Sequence, residues 1–155
     1  MNSLYQRLRL RDFRLVSAFF CLCGDFLAAK YIWDRFTNKK LFNMIFNQFM
    51  QIQGMDPMPG LQKEIFKLLI NSLILMLGFI ILIHIFVYVF YIYNKKFAFH
   101  YIKILSWFGS FGALFVGIKL LSSNFLWGAL IVIQGLLYFY SAYGLKRFPI
   151  PVDQK

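Results

Sequence analysis

The sequence predicts an all-α, polytopic integral membrane protein with four transmembrane helices and one interfacial amphipathic helix between the first two. Three observations carry that prediction. Hydrophobic residues make up 60% of the 155-residue chain and charged residues only 15%, against about 45–50% and about 25% in ordinary soluble domains. Uncharged apolar runs recur along the chain, each of roughly the 20 residues that a 30 Å hydrocarbon core requires. The basic residues behind the net charge of +11 stand in groups between those runs. A soluble fold with so little charge could not cover its surface. The 20 Phe, 9 Tyr and 3 Trp exclude disorder, and two cysteines are too few for a disulfide scaffold.

The first span is predicted over about 13–33, with Arg14 and Lys30 near its ends and Asp25 as its one internal charge. A basic start and an apolar core also fit a signal peptide. Leu27, however, stands where a small residue would be wanted before cleavage after Ala29, so the segment is expected to remain as an uncleaved span. The interfacial helix is predicted over about 39–53. There Leu41, Phe42, Ile45, Phe46, Phe49, Met50 and Ile52 recur at threes and fours between Asn43, Asn47, Gln48, Gln51 and Gln53. Such a helix lies in the headgroup plane or folds back over the bundle. Gly54, Asp56, Pro57, Pro59 and Gly60 break it and turn the chain.

The second span, about 66–94, carries no fixed charge from Leu68 to Asn94. Tyr88, Tyr91 and Tyr93, followed by Lys95 and Lys96, read as a headgroup-level belt at its end. The third, about 102–121, has Lys103 and Lys119 at its ends, where their stems can snorkel outward. The fourth, about 124–145, follows the turn Ser122, Ser123, Asn124. It ends at Tyr138, Tyr140, Tyr143, Lys146 and Arg147, and Pro149 and Pro151 stop the helix. All 155 residues are expected to form one membrane domain.

The basic groups could suggest nucleic-acid binding, but that requires cations gathered on one surface with stacking aromatics between them. Groups that punctuate apolar runs are instead the flanks of membrane spans. Arg7, Arg9, Arg11, Arg14, Lys95, Lys96, Lys103, Lys146, Arg147 and Lys155 fall on one side of a four-span topology. The positive-inside rule then places both termini in the cytoplasm, in a cell (inner) membrane, or on the matrix side of a mitochondrial inner membrane.

Small residues mark packing faces. Gly109, Ala113 and Gly117 recur at four in the third span, and Gly128, Gly135 and Ala142 at seven in the fourth. Whether these seams face each other or another chain is open at this stage. Six intramembrane polar residues are candidates for more: Asp25, Asn71, Ser72, His84, Ser110 and Gln134. Ser110 and Gln134 both lie about 15 Å deep and are expected to bond each other. His84 and His100 differ in depth by about 9 Å, a poor fit to axial haem ligation. His84 therefore reads as a hydrogen-bonded packing residue. Cys21 and Cys23 point about 200° apart on a helix and read as small hydrophobes.

Asp25 stands out, because an intramembrane carboxylate costs at least about 2.5 kcal/mol to insert and so calls for a partner or a task. Its expected partners are Asn71, Ser72, Lys30 or Lys119. No phosphate loop, nucleophile elbow or metal motif is present in the sequence, so no catalytic, metal or cofactor site is expected. The expected function is that of a non-catalytic structural or accessory subunit of a membrane assembly. It would contact the lipid bilayer and a membrane-protein partner or a second copy of itself, and no nucleic acid. The alternative is a small oligomeric proton- or cation-coupled transporter that uses Asp25, and a membrane enzyme comes third.

Overall fold

A computed structural model describes residues 9–54 and 59–148. Among them are five helices and no strand: α1 (Leu10–Phe36), α2 (Lys39–Ile52), α3 (Pro59–Ile92), α4 (Lys96–Leu121) and α5 (Phe125–Arg147). Four of these, α1, α3, α4 and α5, are long and apolar enough to cross a membrane. The turn residues 55–58, the prolines at 149 and 151, and Arg7 and Lys155 of the basic set lie outside the described residues.

The helices overrun the apolar runs. α3 begins at Pro59 rather than near 66, and α4 at Lys96 rather than 102. Gln, Lys and Glu in these first turns are good helix formers, so winding continues past the point where hydrophobicity stops. Proline at the first helical position gives up only an N–H that has no intrahelical acceptor.

The ends are closed by side chains and turns. The Asn38 side chain accepts from the amides of Lys40 (3.1 Å) and Leu41 (3.2 Å) to start α2, and Asn124 accepts from the Trp127 amide (3.2 Å) to start α5. At the end of α3, Asn94 takes a left-handed φ of 65°. Its amide donates to the Tyr91 carbonyl and that of Lys95 to the Phe90 carbonyl, which closes the helix as a Schellman motif.

The chain divides into two compact units, one of residues 29–80 and one of the remainder. In the smaller unit, the Phe42 ring lies 4.9 Å from that of Phe66 and 5.9 Å from that of Phe46. Phe46 and Met50 are buried, while Met44, Ile45, Phe49 and Ile52 remain exposed. The broad apolar stripe of α2 thus uses one edge inside its own unit and leaves the other open. Lys30 donates to Asp34 at 2.5 Å, one turn along α1.

The larger unit packs the first part of α1, the last part of α3, and all of α4 and α5. The seams of α4 and α5 face each other. A methyl group on Gly128 would lie 2.6 Å from the Leu121 amide nitrogen, and one on Gly135 would lie 2.7 Å from the Leu114 side chain. One on Gly117 would meet the Val132 backbone at 2.9 Å. Ala113 and Ala142 are buried alongside them. Missing side chains let the two backbones approach until dispersion contacts run along the helix pair.

Candidate functional site

The polar centre of the larger unit is Asp25. On α1, the residues Phe13, Ser17, Cys21, Gly24 and Asp25 are buried at helical spacing, so the carboxylate points into the bundle. On α3, His84 and Tyr88 are four residues apart and share a face. His84 Nδ1 lies 2.8 Å from Asp25 Oδ2, and the Tyr88 hydroxyl donates to that same oxygen. From α5, the Tyr138 hydroxyl donates to Oδ1 at 2.5 Å. A carboxylate only accepts, so the His84 tautomer that suits this network carries its hydrogen on Nδ1. Three helices therefore converge on one acidic side chain.

Tyr138 reaches it because two glycines make room. A methyl group on Gly24 of α1 or on Gly109 of α4 would each lie 2.9 Å from the Tyr138 ring. His84 is held by its neighbours, with the Tyr101 ring edge-on at 5.7 Å. Its side chain is 13% exposed, against 6% for Asp25. One turn before Asp25 along α1, the Cys21 thiol donates to Ser141 Oγ at 3.4 Å, and that hydroxyl donates to the Ser17 carbonyl at 3.3 Å. Further along, the Arg14 guanidinium lies 5.9 Å from the centre of the Tyr91 ring.

Several sequence expectations need correction. Asp25 bonds to His84, Tyr88 and Tyr138 in place of Asn71, Ser72, Lys30 or Lys119. Asn71, Ser72 and Lys119 are exposed on their own helices, and Lys30 is held by Asp34. Tyr88, Tyr91 and Tyr138 are buried core residues rather than members of a headgroup belt; Tyr93 is the exposed one. Ser110 and Gln134 are both buried, yet Ser110 Oγ has no hydrogen-bond partner among the described residues. The expected bond between them is absent because the register of the seam separates them: Gly109, beside Ser110, faces Tyr138, whereas Gly135, beside Gln134, faces Leu114. His100 is exposed. Among the described residues no three His, Cys, Asp or Glu side chains gather as a metal site.

Sequence reasoning missed Tyr88 and Tyr138 as donors. The available signal was the pair Gly24–Asp25: a glycine beside a carboxylate in a long apolar helix leaves room for a bulky donor from another helix. Chemically, the cluster is a hydrogen-bond node of three donors on one carboxylate, and it contains one Asp–His pair. No family model, no curated protein and no solved structure matches this chain.

Proposed function

We propose that the chain is a four-span integral membrane protein with a non-catalytic role, an accessory subunit that presents a rigid apolar bundle to a larger membrane assembly. The observation that carries this reading is the convergence on Asp25: its two oxygens accept from Tyr88, Tyr138 and His84, three donors carried by two other helices. Such a node suits a fixed tie, because moving any of the three helices would strand donors in a medium without water. The exposed apolar side chains of α3 and α4, among them Phe79, Phe108, Phe111 and Phe115, suit lipid or a partner helix. In this reading the open edge of α2 lies in the headgroup layer.

A second reading, a proton- or cation-coupled transporter, draws support from the His84–Asp25 pair. An imidazole bonded to a carboxylate offers two groups that can exchange a proton, and this ring is not wholly enclosed. One set of measurements separates the two. The chain should resist alkaline carbonate extraction and, when purified gently, carry a stoichiometric foreign membrane protein. Asp25→Asn should keep both assembly and cellular phenotype. A stable Asp25→Asn protein with a lost phenotype favours the transporter, since only a titratable group can load and release charge.

A further inference from the structure

A second polar feature of the larger unit is not used by the Asp25 node. Where α1 begins and α3 ends, an open cleft of about 590 Å³ is lined by Arg11, Arg14, Val89, Tyr93 and Asn94, among others. Arg14 is only 4% exposed and is one of the residues that line this cleft. Its partner is the Tyr91 ring, and among the described residues no carboxylate reaches it. A guanidinium this far buried is costly without an anion, because an aromatic face offsets only part of the water its charge has lost.

The surroundings favour an anion. The first turn of α1, Leu10, Arg11 and Asp12, lies here, and the dipole of a 27-residue helix puts its positive end at the cleft. The end of α3 opposes an anion through its dipole, an opposition reduced where the Val89, Phe90 and Tyr91 carbonyls accept from Tyr93, Lys95 and Asn94, so the attraction rests on the two arginines. Asn94, turned into the left-handed region, lines the same cleft. Asp12, in the first turn of α1, is exposed and does not line it.

We propose that this cleft binds a phosphate group, with the Arg14 guanidinium as its buried fork and Arg11, the α1 amides and Asn94 as further donors. The group is either the headgroup of an anionic phospholipid or a free phosphate. Arginine suits both because its planar fork offers two parallel hydrogen bonds to phosphate oxygens. The lipid source rests on the membrane reading above. That reading fails separately, by carbonate extraction, and leaves the phosphate source testable.

The test uses the full chain in detergent, titrated in parallel with phosphatidylglycerol, phosphatidylcholine and inorganic phosphate. Bound species are followed by native mass spectrometry and stability by melting temperature. Phosphatidylglycerol should bind more tightly than phosphatidylcholine. Arg14→Gln should weaken that binding about tenfold, Arg14→Lys should weaken it less, and Lys119→Gln, an exposed cation elsewhere, should leave it unchanged. Stabilisation by phosphatidylglycerol alone assigns the site to lipid, and stabilisation by inorganic phosphate assigns it to the free anion. Equal binding of phosphatidylglycerol and of inorganic phosphate by wild type and Arg14→Gln overturns the proposal, as does failure of these two probes to bind. Should Arg14→Gln not fold, the exposed Arg11→Gln carries the test, and unchanged affinity there overturns the site.

Discussion

A tyrosine buried among helices must bring its hydroxyl to an acceptor, and Tyr138 does so by passing its ring between Gly24 and Gly109. The cost of disturbing that arrangement differs with each substitution. Tyr138→Phe leaves one Asp25 oxygen unpaired and should lose about 1–3 kcal/mol, whereas Gly24→Ala overpacks the ring for a similar loss. Asp25→Asn keeps an acceptor for His84 and Tyr88, and the Tyr138 hydroxyl can turn to accept from the new amide. It should unfold within about 1 kcal/mol of wild type, while Asp25→Leu strands three donors at about 1–3 kcal/mol each. Thermal unfolding of the four variants in one detergent checks the order; an Asp25→Leu protein as stable as wild type would remove the tie. At this scale the sequence made Asp25 conspicuous, because a carboxylate in an apolar run demands compensation. Its partners were not legible, since counting residues gives depth but not the direction a side chain faces. That is why Asn71 and Ser72 were expected, and why tyrosines near span ends were read as an interfacial belt.

At the scale of elements, the number and order of the helices follow from apolar runs and the groups that interrupt them. Their ends do not, because Arg11 and Asp12, Lys63 and Glu64, and Lys96 extend the winding beyond the apolar stretch. The small-residue series on α4 and α5 could be read as packing faces but not assigned to a partner. In the structure those faces meet, so the glycines should be unequal under substitution. Gly128→Ala sets a methyl group 2.6 Å from the Leu121 backbone nitrogen. Backbone cannot rotate aside as a side chain can, so α4 and α5 must separate, at about 1–3 kcal/mol. Gly78→Ala and Gly112→Ala meet nothing within 4 Å and gain helix propensity of up to about 1 kcal/mol. Melting temperatures should fall for the first and hold or rise for the other two. A Gly128→Ala protein that melts with Gly112→Ala would mean that the α4–α5 seam is looser than its geometry.

At the scale of the whole molecule, an even number of crossings fixes which connections share a side of the membrane. In a four-span protein, the turn between α3 and α4 and the end of α5 lie together, with the turn between α4 and α5 opposite. At the short connections the charges agree with this parity: Lys95 and Lys96 stand at the first, Lys146 and Arg147 at the second, and Lys119 alone borders the third, while the basic residues of the long first loop count for less. On the positive-inside rule the first two are expected in the cytoplasm or matrix. Native Cys21 is buried and Cys23 half-buried, so both are first replaced by alanine to give a silent background. Single cysteines at Lys95, Ser123 and Arg147, all exposed, then report the side by reaction with an impermeant maleimide in sealed vesicles. Lys95→Cys and Arg147→Cys should label together from the inner side, and Ser123→Cys from the outer side. Labelling of Lys95→Cys and Arg147→Cys from opposite sides would mean that α4 and α5 do not cross as a pair. The four-span topology would then fail whatever the stability of the bundle.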